Sequence, residues 1–310
     1  MKALTSNLAI LVPLTLLLWG TEYTLVGTIT PHMAESWQVV IRMLAAAILM
    51  VVFVYASGNH LPALRSKSWW WYGLMGFVGM TIPFWLIAKS YSAHVDSGLI
   101  SILIGITPLF TVVLAHFFIP SEPLTKMKSL GFIIGFIGIC VLFLPDHIGL
   151  ALAKNWQAQL LVVLAAFGYA LTSILGKRAP EQPASVGAAL MLIGGAVSAV
   201  LCALWLDFDT IPKTLPSTRI IAALIALTLG ATFLGNLLYL RLLQLSGPSL
   251  IAKINYVVPL VALVSGAIFL REQIQPRALI ALAIISLGLW IAHREQAASG
   301  RKLPLRHEIE

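Results

Sequence analysis

Residues 79–109, GMTIPFWLIAKSYSAHVDSGLISILIGITPL, align without a gap on residues 230–260, GATFLGNLLYLRLLQLSGPSLIAKINYVVPL. Gly79/Gly230, Thr81/Thr232, Leu86/Leu237, Leu99/Leu250, Ile100/Ile251, Pro108/Pro259 and Leu109/Leu260 are identical pairs. After a one-residue slip, Glu122/Glu272, Ile134/Ile284 and Gly138/Gly288 follow. Apolar helices share Leu, Ile and Gly cheaply, so the weight falls on the two prolines and the two glutamates. The chain reads as one unit written twice. With an odd number of spans in each copy, the second copy lies upside down in the bilayer. Inverted repeats with helix breakers at corresponding positions mark a secondary transporter whose site lies between the halves.

Outward from that pair of segments, 59% of the chain is apolar and 10% charged, against about 45–50% and 25% in soluble domains. The fold class expected is an all-α integral membrane protein. A span takes about 20 mostly apolar residues, and ten segments qualify: 7–29, 37–56, 69–91, 95–118, 129–144, 157–175, 184–206, 220–242, 249–270 and 277–292. They divide into a first five-helix repeat (1–146), a second (154–293) and a basic cytoplasmic tail (294–310), with a central cavity between the repeats. Glycines such as Gly73, Gly76 and Gly79, or Gly131, Gly135 and Gly138, suit close packing of helices in lipid. The run after Lys2 is too long for the apolar region of a secretory signal and lacks a small-x-small cleavage site, so it is read as an uncleaved first span.

The formal charge of +8 informs orientation rather than nucleic-acid binding. With a cytoplasmic amino terminus, the inner segments collect Lys2, Arg65, Lys67, Lys126, Lys128, Lys177, Arg178, Arg241 and the tail, while the outer ones hold Lys89, Lys154, Lys213, Arg219, Arg271 and Arg277. The positive-inside rule then puts both termini inside. The acidic loop with Asp207 and Asp209 faces out, and Trp69, Trp70, Trp71 and Tyr72 fall at an interfacial belt. Cys140 and Cys202 are isolated packing residues, and no histidine–carboxylate cluster has metal-ligand spacing. No metal, cofactor or nucleic acid is expected. The partners expected are a small-molecule substrate, membrane lipids and protons, with monomer and homodimer both open.

Leu18-Trp19-Gly20, then Thr107-Pro108-Leu109-Phe110 running to Ser121-Glu122-Pro123-Leu124, and Tyr256-Val257-Val258-Pro259-Leu260 running to Arg271-Glu272-Gln273, resemble the EamA family of the drug/metabolite transporter superfamily. The likeness covers nearly the whole chain. It implies a ten-helix fold of two inverted five-helix repeats around a central cavity, and transport of small metabolites, often efflux of amino acids or drugs. Phe167-Gly168 stands where the second copy would carry the tryptophan-glycine pair, and Lys253 is an unusual charge. Substrate does not carry over from so varied a family.

Ionisable groups inside spans are costly and therefore functional candidates. At a rise of about 1.5 Å per residue, Glu22 on span one and Arg42 on the oppositely running span two reach similar depth in the outer half. They fit an ion pair, either one that orients two helices or one that serves proton coupling or the substrate. Burial disfavours a charged carboxylate and a neighbouring arginine restores it, so Glu22 is a proton carrier only if the pair opens. Lys253 either snorkels to the inner interface or faces the cavity and draws in a carboxylate. Asn255 and Tyr256 either line the cavity or bridge helices, and the same choice holds for Asn236. Pro108 and Pro259, near the midplane, point to the site or kink their helices. Trp19 and Trp85 either form a wall suited to apolar solutes or pack elsewhere. Glu122 and Glu272, at span ends on opposite sides, cap the next helix, pair with Lys126 or Arg271, or gate.

The function expected is export of a small amphipathic metabolite such as an amino acid by alternating access. Proton coupling and facilitated diffusion both fit, because no nucleotide-binding motif is present. Uptake and drug efflux are alternatives within transport. A membrane-embedded lipid-modifying enzyme using Glu22 with His116 or His94 is the alternative outside it, but those residues lie at different depths and form no catalytic motif.

Overall fold

In lipid no water satisfies backbone N–H and C=O groups, so long apolar runs close their own hydrogen bonds as helices. The computed structural model of the chain describes residues 7–93, 95, 100, 103–120, 122, 124–143, 156–210, 217–270 and 276–298. Lys2, His94, Leu99, Ser121, Pro123, Lys154, Lys213, Arg271, Glu272, Gln273 and the tail beyond residue 298 lie outside them, as does the side chain of Pro259. Among the described residues there is no strand.

The helices are α1 (Leu8–Ile29), α2 (Glu35–Ala56), α3 (Lys67–Gly76), α4 (Ile82–Ser92), α5 (Thr107–Phe118) and α6 (Lys126–Phe143). They continue as α7 (Trp156–Arg178), α8 (Ala184–Leu206), α9 (Thr218–Leu227), α10 (Gly235–Ser246), α11 (Pro248–Leu270) and α12 (Pro276–Ala298). A π turn, Phe77–Thr81, joins α3 to α4, and a second, Thr228–Leu234, joins α9 to α10. The two π turns begin at aligned positions of the sequence repeat and contain Gly79 and Thr81 in one case, Gly230 and Thr232 in the other. Among the described residues six helices are long and apolar enough to cross a bilayer: Leu8–His32, Glu35–Ala56, Lys67–Ser92, Trp156–Arg178, Ala184–Leu206 and Thr218–Ser246. Shorter apolar helices, Thr107–Phe118 and Ala283–Ala292, accompany them. The chain is a multi-pass membrane protein.

Packing interleaves the two halves of the chain. α8 lies along α2 and α3, α1 along α11, α7 along α4 and α5, and α6 along α12. The largest buried cluster joins Met43 and Met50 of α2, Tyr72 and Met75 of α3, Leu190 and Leu192 of α8, and Leu240 and Leu242 of α10. Close approach is set by glycine: a Cβ on Gly194 would overlap the Gly73 backbone, and one on Gly288 would come within 2.5 Å of Gly135 N. Without a hydrophobic driving force between helices in lipid, such backbone contact provides the dispersion that holds them.

Candidate functional site

α1 and α2 run antiparallel through a short connection, which brings Glu22 and Arg42 to one level. Arg42 Nη2 donates to Glu22 Oε1 at 2.6 Å, with the arginine 3% and the glutamate 19% exposed. The same guanidinium donates through Nε to Thr232 Oγ1 at 3.0 Å and lies 3.9 Å from the centroid of the Phe84 ring. A buried arginine needs all of this: charge compensation, filled donors and a ring face that tolerates a weakly hydrated cation. Thr232 belongs to the second π turn. Its hydroxyl donates to Leu227 O at 3.1 Å, and its carbonyl accepts from Asn236 Nδ2 at 2.7 Å. π turns interrupt the regular helical ladder and recur at functional sites.

Beside this network lies a cavity of about 120 Å³ between the two halves. From the first half come Trp19 and Glu22 of α1, Gly79 and Met80 of the first π turn, Phe84 of α4, and Ile104, Gly105 and Thr107 at the start of α5. From the second come Tyr169, Thr172 and Ser173 of α7, Met191 of α8, Ala231 of the second π turn, Asn236 and Tyr239 of α10, and Ile251, Asn255 and Val258 of α11. Aromatic rings are grouped in pairs, Trp19 with Tyr239 at 6.2 Å and Phe84 with Tyr169 at 6.5 Å. A smaller pocket of about 30 Å³ is lined by Arg42, Gln38, Val26 and Ala88, among others, and shares Glu22, Phe84 and Tyr169 with the larger one. Glu22 therefore stands where the two spaces meet.

Of the residues singled out from sequence, Trp19, Glu22, Asn236 and Asn255 line the larger cavity and Arg42 lines the smaller. Tyr256, Trp85, Lys253 and Pro108 are not among the lining residues. Tyr256 is fully buried between α11 and α6, where its hydroxyl donates to Phe132 O at 2.6 Å. Trp85 packs with the cluster around Ile100 and Val162. Lys253 lies near Lys128 and Glu122 rather than in the cavity wall. Pro108 occupies the first turn of α5, where its missing N–H costs nothing. It restarts a helix after a turn at Gly105 and Ile106 instead of kinking one. Its aligned mate Pro259 lies within the continuous α11. Among the described residues no group of three or more His, Cys, Asp or Glu could hold a metal ion.

Glu122 bridges the halves at another place. Its Oε2 accepts from Ser249 N at 3.2 Å and from the Ser249 hydroxyl, and lies 3.9 Å from Lys128 Nζ. The carboxylate thus serves the start of α11, not the helix that follows it in sequence, and its cation is Lys128, not Lys126. Gly247, at φ +76°, makes the turn into α11, and a Cβ there would overlap Glu122 Oε1. Sequence reasoning did not single out Phe84, Tyr169, Thr172, Ser173 or Tyr239, which lie in apolar runs without a distinguishing pattern. Thr232 did carry a signal, its identity with Thr81.

With both halves meeting around one cavity, the profile of the EamA-like transporter family matches the chain twice, at residues 7–144 and 156–293. The chain belongs to this family. An inner membrane transporter of Escherichia coli (strain K12), YedA, is 24% identical over 87% of this chain and 85% of its own length. A protein of Salmonella typhimurium named as a probable amino-acid metabolite efflux pump is 25% identical over 90% of this chain and 92% of its own. One solved crystal structure superposes with a TM-score of 0.75 at 18% identity, covering 92% of this chain and 97% of that one. It shares the fold. Family and relatives alike point to transport rather than to an enzyme.

Proposed function

We propose that the chain is a secondary transporter of ten spans, with 1–146 and 154–293 as inverted five-helix repeats and 294–310 as a cytoplasmic tail. It works in the bacterial inner membrane with both termini inside and exports small amphipathic metabolites that carry an amino group, amino acids among them. The observation that carries this reading is the cavity of about 120 Å³, to which each half contributes its π turn and the helices around it. A site built at the interface of two repeats is exposed to one side or the other as the repeats rock. Support for export comes from the Salmonella relative's name, and for orientation from the loop charges. Trp19, Asn236 and Asn255 contact the solute. Glu22 carries the coupling proton, and Arg42 holds its carboxylate between loadings.

Counterflow of labelled amino acids in liposomes containing the purified protein tests the reading. Uptake of label against preloaded solute is expected. Absence of counterflow for every small solute tried, together with lipid turnover, would discard transport in favour of an enzyme. The proton role has its own readout. Glu22→Gln/Arg42→Gln, which strands neither charge, is expected to lose accumulation driven by a pH gradient, and intact gradient-driven accumulation would remove Glu22 as carrier.

A further inference from the structure

The lining of the larger cavity is rich in hydrogen-bond acceptors and poor in donors, because most of its hydroxyls have already spent their hydrogens. Thr172 Oγ1 donates to Gly168 O at 2.9 Å, Ser173 Oγ to Tyr169 O at 3.2 Å, and Thr107 Oγ1 to Ile104 O at 2.7 Å. Tyr239 donates to Ser173 Oγ at 3.4 Å. Asn236 directs one amide hydrogen to Thr232 O, which leaves its carbonyl as an acceptor and its second amide hydrogen as a donor. A hydroxyl whose hydrogen is committed presents only lone pairs to what lies in front of it. Asn255 brings an amide and Trp19 an indole N–H, so donors are not absent, but no cation lines this cavity among the described residues.

Charge points the same way. Among the described residues Glu22 is the one charged residue in the lining. Its guanidinium partner is 3% exposed, turned to Thr232 and Phe84, and faces only the smaller pocket. A charge placed in the larger cavity therefore meets the carboxylate first and the arginine behind it. The aromatic rings of Trp19, Phe84, Tyr169 and Tyr239 offer apolar surface and negative faces, which suit a cation with an apolar body.

Resting on the reading of this cavity as the solute site, we infer that it selects an organic amine, a primary ammonium head on an aryl or alkyl body, over the matching zwitterion or carboxylate. The ammonium is a pure donor with three hydrogens. It fits between Glu22 and the lone pairs of Asn236, Thr172 and Ser173, with its body against the rings. A carboxylate is a pure acceptor: it meets Glu22 and these lone pairs, and its donors are the neutral amides of Asn236 and Asn255 and the Trp19 indole. Lys253, which on one of its two sequence readings would draw in a carboxylate, is not among the residues of the wall.

Calorimetric titration of the purified full-length protein with 2-phenylethylamine, phenylalanine and 3-phenylpropionate isolates the head group on one ring. The amine is expected to bind about tenfold or more tighter than the other two, the worth of a charge-assisted hydrogen bond. Equal or tighter binding of phenylalanine or phenylpropionate would overturn the inference, as would no binding of the amine by monodisperse protein. Because Glu22→Gln alone strands a buried arginine, the variant of choice is Glu22→Gln/Arg42→Gln, which removes both charges. It should lose the amine preference, so that 2-phenylethylamine and its neutral counterpart 2-phenylethanol bind alike; a retained preference also overturns it. The two readings fail separately. Amino-acid counterflow without amine binding refutes amine selection and leaves transport standing, whereas amine binding without counterflow of any solute does the reverse.

Discussion

The two π turns occupy aligned positions, yet they fasten to the rest of the molecule by different chemistry. At Phe77–Thr81 the contact is neutral and closed: Thr81 Oγ1 donates to Gly195 O at 2.8 Å and sits 2.9 Å from Ser198 Oγ, both on α8. At Thr228–Leu234 the aligned threonine accepts from Arg42 on α2 at 3.0 Å, and that arginine continues to Glu22 at the edge of the cavity. One backbone device is thus used once as a clamp and once as the anchor of an ion pair. Glu22 and Arg42 have no charged counterparts in the other copy. A duplicated scaffold supplies the frame, and the chemistry is concentrated where the copies differ.

The charged anchor is the place where this comparison breaks most visibly. Arg42→Met removes one member of a buried pair and leaves Glu22 without its cation, a loss of about 3–5 kcal/mol. Chemical unfolding in detergent should register it. Glu22→Gln/Arg42→Met, which removes both charges, should recover most of the loss, and a double variant no more stable than the single would mean that the pair is not the unit of stability.

Next in size is the glycine pair. A Cβ on Gly79 would overlap the Thr172 side chain, whereas on Gly230 it would meet only Leu18 Cδ2 at 3.4 Å, an ordinary contact. Gly79→Ala should cost about 1–3 kcal/mol by overpacking and disturb the cavity wall. Gly230→Ala should be neutral or slightly stabilising, since alanine favours helix by up to about 1 kcal/mol. Equal effects in a thermal melt would show that the halves are more alike than their contacts imply.

The smallest difference lies in the threonines. Thr232→Val strips a partner from a buried guanidinium, about 1.5 kcal/mol. Thr81→Val forfeits one neutral interhelical bond, about 0.6 kcal/mol in a membrane setting. Transport should fall in the first variant and persist in the second, as counterflow rates would show.

Depth along a span was legible from counting residues, but the direction in which a side chain faces was not. Glu22 and Arg42 could be matched because both lie at one height on neighbouring antiparallel helices. Asn255 and Tyr256 are adjacent in sequence and at nearly one height. A helix turns by about 100° between them at 3.6 residues per turn. One faces the cavity and the other is buried against Phe132. Lys253 and Trp85 are hidden from sequence reasoning for the same reason, since runs apolar on every side carry no periodicity that marks an inner face. Pro108 has two readings from sequence, a pointer to the site and a kink; the turn at Gly105 and Ile106 makes it the opening of a new helix, so it is not a kink. The π turns had a trace in Gly79/Gly230 and Thr81/Thr232, identities that registered as repetition before they could register as geometry.

Glu122 also bears on how the protein is made. It precedes Ser249, whose N–H and hydroxyl it receives, by 127 residues. Chains fold from the amino terminus as they emerge, so the acceptor is in the membrane well before its donor is synthesised. The later half then enters beside a partner that already holds a carboxylate where α11 must begin, and the earlier half acts as a template for its assembly.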